Sequence, residues 1–171
     1  MAHKLDTLSG RAFKINDLIS AKDIVSNNFS ESYHNIQNIY PFTDKIPDFN
    51  DKVFSKSILV SGDNFGYASS RELPALVLKK SGIKAIIAKS FFSGFYKNAF
   101  NLGLLCIQAN TDYIDDNDIL KIDIRQAEFI QNRTKKIGIK MQAVKKYFYK
   151  LYINGGLLNK LYKDGLIHDG S

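Results

Sequence analysis

Residues 69–71 place two hydroxyls and a guanidinium side by side, as Ser69, Ser70 and Arg71. These groups donate hydrogen bonds, and the planar guanidinium can hold both oxygens of a carboxylate at once. Asn64 and Gly66 precede them in the same short polar stretch. An amide adds another donor, and a glycine allows a positive φ and a close approach of a ligand to the backbone. The stretch therefore predicts a carboxylate-binding site, with these residues as candidates.

The flanking segments predict how this stretch is positioned. Residues 57–61 and 83–88 are apolar runs typical of buried strands, and residues 73–81 between them have helical character. A strand, a turn, a helix and a second strand form a βαβ unit, whose turn opens at the carboxyl end of the first strand. The polar stretch is that turn, so it meets a helix N-terminus, where backbone N–H groups favour anions. The predicted fold class is α/β with a central βαβ unit.

The same residues also fit a purely structural role. Ser69 and Glu72 match the S-x-x-E capping box, in which the two side chains satisfy backbone N–H groups at the start of a helix. In that interpretation Arg71 is only solvated. Pro74 lacks an N–H, so it suits a helix that starts one or two residues later. The glycines match neither the dinucleotide-binding G-x-G-x-x-G pattern nor a P-loop, so nucleotide binding is not indicated.

Segments on either side of the βαβ unit predict further elements. Residues 11–15 alternate apolar and polar side chains and predict a first strand. Ser90 is a candidate N-cap for a helix that runs to Leu102 and stops at Gly103. The apolar residues 104–107 then predict another strand. The central unit therefore extends to β-α-β-α-β.

The C-terminal part is predicted to complete a single domain over residues 1–171. Residues 119–124 and 127–130 have the composition of short strands. A helical segment follows at residues 142–162, where paired glycines interrupt the pattern. We therefore expect one helix that ends near Asn154 and a short second helix from Leu157.

The bulk composition limits the classes of function. The net charge is +7, but Lys greatly outnumbers Arg and no nucleic-acid-binding motif is present. The basic charge is the only feature in favour of nucleic-acid binding, and we do not expect that function. With one cysteine and three widely spaced histidines, we expect neither an internal disulfide nor a metal site in this chain. No apolar run approaches the roughly 20 residues of a membrane span, and no export signal is evident. We therefore expect a cytoplasmic protein with no membrane contact.

Three segments together resemble the swivel domain of the aconitase superfamily. They are residues 64–72 (Asn-Phe-Gly-Tyr-Ala-Ser-Ser-Arg-Glu), 83–91 (Ile-Lys-Ala-Ile-Ile-Ala-Lys-Ser-Phe) and 95–104 (Phe-Tyr-Lys-Asn-Ala-Phe-Asn-Leu-Gly-Leu). Residues 10–25 and 155–158 add weaker similarity. The chain is short and lacks cluster cysteines, so within the superfamily it is most similar to the small subunits of 3-isopropylmalate dehydratases.

That resemblance implies a fold, a partner and roles for the site residues. The implied fold is a swivelling β/β/α domain. The implied partner is a separate large subunit with a 4Fe–4S cluster, whose open iron takes the hydroxyl and a carboxylate of a hydroxy dicarboxylate substrate. Ser69 matches the serine that removes a proton from the carbon next to a carboxylate, and Ser70 and Arg71 match residues that bind substrate carboxylate. The implied activity is that of a hydro-lyase subunit, which interconverts 2- and 3-isopropylmalate in leucine biosynthesis.

Several residues depart from the superfamily pattern. Leu73 stands where histidine is usual, Ser93 stands where arginine is usual, and Tyr67-Ala68 replaces part of a glycine-containing turn. Residues 17–23 have lost acidic and amide groups of the corresponding segment. Two alternatives therefore stay open. One is a divergent small subunit for another hydroxy di- or tricarboxylate, and the other is a non-catalytic binding protein with this fold.

Residues 26–50 are predicted to form the loop that faces substrate and partner, mobile until the large subunit docks. The segment is long, polar and weakly periodic. Its aromatic residues are spread along it, at Phe29, Tyr33, Tyr40, Phe42 and Phe49. Burial of such side chains by a partner is favourable. An apolar substituent such as isopropyl could be contacted by Phe29, Tyr33 or Ile36.

Overall fold

The structure, a computed structural model, describes residues 7–26, 39–53, 57–124 and 128–168. Its central feature is a mixed seven-stranded sheet. The strands are β1 (Thr7–Lys14), β2 (Ile58–Ser61), β3 (Ala85–Ala88), β4 (Leu105–Gln108), β5 (Ile119–Asp123), β6 (Phe129–Asn132) and β7 (Ile137–Lys140). The helices are α1 (Ala21–Ile24), α2 (Phe49–Val53), α3 (Leu73–Lys80), α4 (Ser93–Asn101), α5 (Lys146–Ile153) and α6 (Leu157–Lys163), with a 3₁₀ turn at Thr111–Tyr113. Across the sheet the strand order is β4-β3-β2-β1-β5-β6-β7.

The half of the sheet from β1 to β4 is parallel and carries the predicted β-α-β-α-β unit. Each neighbouring pair in this half runs in the same direction, with α3 and α4 as the crossovers. All four residues of β2 and of β3 are buried, because the helices cover a parallel sheet on its faces. The predicted α/β class and the central βαβ unit are confirmed. The polar turn therefore opens at the carboxyl end of β2.

The half from β5 to β7 is antiparallel and one of its strands was not predicted. Buried and exposed residues alternate along β5 and β6, as in a sheet with one solvated face. β6 begins at Phe129, later than the predicted 127, and residue 127 lies outside the described residues. β7 pairs with β6 but buries only Ile139. Such a short edge strand carries little hydrophobic pattern, which is why its sequence did not predict it.

The helix ends agree with the sequence in part. α4 stops just before Gly103, α5 has Asn154 as its C-cap, and α6 begins at Leu157, as predicted. Ser90 is not the N-cap of α4, because Phe92 occupies that position without a side-chain cap. The hydroxyl of Ser90 instead faces the turn that follows β2. No helix in the described part of the chain is both long and apolar enough to cross a membrane.

One connected hydrophobic core includes residues from all of the strands and contradicts part of the loop prediction. Phe42 and Phe49 are buried in it, with ring centroids 4.7 Å apart, and Phe49 lies 5.1 Å from Phe13. These two aromatic side chains are therefore buried within this chain, and their burial needs no partner. Tyr40 is exposed. The other residues named for substrate or partner contact, Phe29, Tyr33 and Ile36, lie outside the described residues.

Candidate active site

An aromatic cluster anchors the first part of the turn between β2 and α3. Phe65 is fully buried and lies edge-on to Phe91 and Phe95, at centroid distances of 6.1 and 5.1 Å. The N–H of Phe65 donates to the carbonyl of Ser90, and the N–H of Phe92 donates to the carbonyl of Phe65, both at 3.0 Å. Backbone pairing and ring packing together fix the turn against the segment that leads into α4.

The next two residues of the turn pair with the segment that leads into α1. The N–H of Gly66 donates to the carbonyl of Ile19 at 2.8 Å, and the N–H of Ala21 donates to the carbonyl of Tyr67 at 2.8 Å. These two hydrogen bonds connect parts of the chain that are distant in sequence. They place the start of α1 directly beside the turn.

A capping box holds α1 in this position. The hydroxyl of Ser20 accepts from the N–H of Asp23 at 3.1 Å, and the carboxylate of Asp23 accepts from the N–H of Ser20 at 2.7 Å. Lys45 lies 3.7 Å from the same carboxylate. Burial acts to raise the pKa of Asp23, but the hydrogen bonds from Ser20 and the charge of Lys45 outweigh it and hold that pKa below its usual value. The Asp23 carboxylate is therefore committed to the cap.

Gly66 and Asn64 do not line the cleft that contains Ser69, Ser70 and Arg71. Gly66 has φ +77° and packs under Phe95, where an added Cβ would lie 2.7 Å from the Cβ and Cδ2 atoms of that ring side chain. Its N–H is already bonded to Ile19. Asn64 is exposed and donates its backbone N–H to the hydroxyl of Ser90 at 2.7 Å. These contacts explain both residues as parts of the turn, and their binding of substrate stays a prediction.

Ser69 faces the backbone of Arg71 and does not cap α3. The N–H of Arg71 donates to the Ser69 hydroxyl oxygen at 3.1 Å. α3 starts at Leu73 with Glu72 as its N-cap, and Glu72 makes no side-chain cap hydrogen bond. The capping box predicted for Ser69 and Glu72 is therefore wrong. The later start that Pro74 favoured is correct, because this proline falls in the first turn, where its missing N–H costs no intrahelical bond.

The neighbouring helix α4 holds Ser70. The side-chain amide of Asn98 donates to the carbonyl of Ser70 at 2.7 Å. Gly94 lies so close that an added Cβ would be 3.1 Å from the Cα of Ser70. Contacts with α4 thus fix the backbone at Ser70, while the side chains of Ser70 and Arg71 are exposed.

Ser69, Ser70 and Arg71 meet in a cleft of about 320 Å³ between the turn and α1. That volume lies in the range of small-molecule sites. The residues that line the cleft are Ala21, Lys22, Val25, Ser26, Ala68, Ser69, Ser70, Arg71, Leu73 and Pro74. Two hydroxyls, a guanidinium and the N-terminus of α3 therefore converge on one cavity, which is an arrangement suited to a carboxylate.

Lys22 also lines this cleft, and the sequence did not single it out. It belongs to α1, so only the pairing of α1 with the turn brings Lys22 to the cavity that contains Arg71. No carboxylate among the described residues forms a salt bridge with Lys22 or Arg71. The cleft is therefore positively charged.

The described residues do not fit a metal ion or an iron–sulfur cluster. Among them, no group of three or more His, Cys, Asp and Glu side chains could hold a metal. Cys106 is fully buried in the core, and burial raises the pKa of its thiol well above the usual value. A buried neutral thiol is a poor metal ligand, because the thiolate is the form that binds metals.

Comparison with known proteins identifies the family of this chain. The family profile of the aconitase C-terminal domain matches residues 2–112. A 3-isopropylmalate dehydratase small subunit from Archaeoglobus fulgidus is 38% identical over 91% of this chain and 95% of its own length. A methanogen homoaconitase small subunit from Methanocaldococcus jannaschii is 37% identical, over 94% of both chains. A crystal structure of 3-isopropylmalate dehydratase from Methanocaldococcus jannaschii has a TM-score of 0.83 and 37% identity, covering 94% of this chain and 96% of that one.

The chain belongs to the aconitase C-terminal domain family, and its relatives over nearly the whole length are dehydratase and homoaconitase small subunits. The residues that depart from the family pattern lie at different distances from the cleft. Leu73 and Ala68 line it. Tyr67 forms an isolated bridge with Ser20 beside it. Ser93 does not line the cleft and instead lines a second cavity, together with Tyr96 and Phe148.

Proposed function

We propose that this chain is the small subunit of a 3-isopropylmalate dehydratase, a hydro-lyase that interconverts 2- and 3-isopropylmalate in leucine biosynthesis. The observation that carries the proposal is the meeting of Ser69, Ser70 and Arg71 in one cleft at the N-terminus of α3. The similarity to named small subunits over nearly the whole chain supports the same function. We place the enzyme in the cytoplasm, because a chain with one cysteine forms no internal disulfide and this is typical of proteins in a reducing compartment.

In this proposal Ser69 is the base. Its hydroxyl oxygen accepts the N–H of Arg71 at 3.1 Å, and the same hydrogen bond stabilises the negative charge of the alkoxide. The alkoxide takes the proton from the carbon next to a substrate carboxylate. The electrons of that C–H bond form the double bond as hydroxide leaves from the neighbouring carbon with its bonding pair. The hydroxide and the proton taken by Ser69 together make the water that is released, and rehydration reverses the step.

Ser70 and Arg71 hold the carboxylate next to the reacting carbon. Their side chains are exposed at the cleft, while Asn98 and Gly94 fix the backbone beneath Ser70. A rigid backbone with exposed donors suits a site that must orient its ligand accurately. Asn64 and Gly66 complete the turn, and we keep both as candidates for substrate contact.

The active site is completed by a large subunit that carries a 4Fe–4S cluster. Three observations support a partner: the cleft is open, the predicted carboxylate-binding residues Ser70 and Arg71 are exposed, and the relatives are named as small subunits. The described residues of this chain offer no set of ligands for the cluster. We therefore expect the purified chain to be colourless and to show no dehydratase activity by itself.

A reconstitution experiment tests the proposal. The chain is mixed anaerobically with a cluster-bearing large subunit, and hydration and dehydration of isopropylmalate are followed by absorbance of the unsaturated intermediate. Ser69→Ala should lower kcat by about 10²–10⁴-fold, the usual loss of a general base. Ser26→Ala is the matched control, because Ser26 lines the same cleft at the first residue of the predicted loop but takes no part in the proposed proton transfer.

The thermal melts of these variants separate catalysis from stability. Ser69 does not cap α3, so both serine variants should melt with the parent chain. A near-normal kcat for Ser69→Ala would remove the base assignment. Arg71→Lys should raise KM and lower kcat together, because an ammonium group cannot replace the two parallel hydrogen bonds of a guanidinium.

A second substrate has specific support. The homoaconitase relative from Methanocaldococcus jannaschii is almost as similar as the dehydratase relative, at 37% and 38% identity. Another hydroxy di- or tricarboxylate is therefore the alternative substrate. Assaying the reconstituted enzyme with isopropylmalate and homocitrate in parallel distinguishes the two by their kcat/KM values.

A further inference from the structure

Lys22 contributes a second cation to the cleft from a different element than Arg71. Lys22 belongs to α1 and Arg71 to the turn before α3, and both line the cavity of about 320 Å³. The serines in the lining are neutral, and among the described residues no Asp or Glu contributes to it. The described lining therefore carries two positive charges and no negative one, whereas a single carboxylate is matched by Arg71 alone.

The acidic neighbour of Lys22 does not neutralise it. Asp23 is the next residue, but its carboxylate accepts hydrogen bonds from the N–H and the hydroxyl of Ser20, at 2.7 and 2.6 Å, and faces Lys45. Among the described residues, no salt bridge involves Lys22. Its charge is therefore available to a ligand in the cleft.

The position of Lys22 is fixed by backbone contacts and not by its own flexible side chain. The capping box at Ser20 sets the first turn of α1, and the hydrogen bond from Ala21 to Tyr67 joins that turn to the segment that carries Ser69. The Cα of Lys22 is thus held at a constant place relative to Ser69 and Arg71. Lys22 therefore lines the wall of the cleft that α1 forms, and Arg71 lines the wall that the turn forms.

We propose that Lys22 binds the second carboxylate of the substrate, while Arg71 and Ser70 bind the carboxylate next to the reacting carbon. This inference rests on the proposed function and deepens it, because it makes the small subunit select a dianion over a monoanion. The hydroxy acid then spans the cleft between two elements. A substrate with one carboxylate fills only the Arg71 side and leaves the ammonium group of Lys22 unpaired.

Binding of small hydroxy acids to the full chain tests the proposal without the partner. Malate is the dianionic probe and 2-hydroxybutanoate is the monoanionic probe, with affinities measured by NMR titration at low salt. Malate should bind about ten- to a hundredfold more tightly, the range expected for one added charge-assisted hydrogen bond. Lys22→Ala should remove this preference and leave the affinity for 2-hydroxybutanoate unchanged, whereas Arg71→Ala should weaken both.

Two control variants separate a specific contact from general attraction. Lys22→Arg keeps the charge and should retain the preference for malate. Lys80→Ala removes an exposed lysine at the far end of α3 and should change neither affinity. Equal loss of malate affinity in Lys80→Ala and Lys22→Ala would show that only net charge matters. That result, an unchanged preference in Lys22→Ala, or no malate binding at millimolar concentration would each overturn the proposal.

The proposed function and this inference fail in different ways. If the reconstituted enzyme converts isopropylmalate and Lys22→Ala leaves both binding and kcat/KM unchanged, the function stands and the role of Lys22 is refuted. If the chain selects malate through Lys22 but no cluster-bearing partner makes it active, the dianion site stands and the hydro-lyase function is refuted. The two measurements are independent, because titration of the isolated chain requires no catalysis.

Discussion

Gly66→Ala should destabilise the protein because the added methyl group meets a ring in an unfavourable backbone conformation. The new Cβ would lie 2.7 Å from the Cβ and Cδ2 atoms of Phe95, well inside normal contact distance. Phe95 is fully buried and packs edge-on to Phe65, so it cannot move aside freely. The residue also has φ +77°, which is disfavoured for any residue with a Cβ.

The expected magnitude follows from these contributions. The left-handed conformation costs about 1–2 kcal/mol, and overpacking costs about 1–3 kcal/mol. Alanine also lowers the conformational entropy of the unfolded chain, which offsets the loss of stability by about 0.4–1 kcal/mol. The net loss is therefore about 2–4 kcal/mol of unfolding free energy. For a chain of this size, such a loss lowers Tm by roughly 4–16 °C.

Two other glycines provide matched controls, and urea unfolding at equilibrium is the assay. Gly82 has φ +91° with no atom within 4 Å of an added Cβ, so Gly82→Ala measures the conformational cost alone. Gly62 has neither a positive φ nor a near neighbour, so Gly62→Ala should cost little. If Gly66→Ala lost no more than Gly82→Ala, the packing argument would be refuted. If it kept full stability but lost substrate binding, Gly66 would be a binding residue.

Two further predictions concern acid stability and the loop. The pKa of Asp23 is held below its usual 3.8, so its contribution to stability is present above that pH and is lost as pH falls through the lowered pKa. Asp23→Asn should therefore be less stable than the parent at pH 7, and urea unfolding should show the difference in stability closing as the pH falls below 3.8; a constant difference would contradict this. Within residues 26–50, exchange of the part before Ile39 with that of a homoaconitase small subunit should shift kcat/KM between hydroxy acids by about 10- to 200-fold and leave assembly intact. Extending the exchange through Phe42 and Phe49 should instead unfold the chain, because both are core residues; unchanged specificity after the shorter exchange would assign discrimination to the large subunit.

Much of the central fold could be predicted from the sequence because its signals are local. Each of these signals lies within a few neighbouring residues: the apolar runs of β2 and β3, the helical spacing of α3, and the glycine at residue 103 that ends α4. β7 was not predicted, since it pairs at the sheet edge and buries only Ile139. The capping box predicted at Ser69 is wrong, because the S-x-x-E pattern is present but α3 begins at Leu73, with Glu72 as an N-cap that makes no side-chain hydrogen bond.

Some features of the site were likewise determined by the sequence, and others only by the tertiary structure. Ser69, Ser70 and Arg71 are consecutive, so the sequence by itself determined that two hydroxyls and a guanidinium would be adjacent at the start of a helix. Only the tertiary structure decided that Lys22 shares their cavity, that Gly66 packs under Phe95, and that Phe42 and Phe49 are core residues. The physical reason is that these contacts depend on strand order and on backbone hydrogen bonds between distant segments, such as that from Ala21 to Tyr67. No local periodicity records which distant segment pairs with which, because that choice follows from burying one common core.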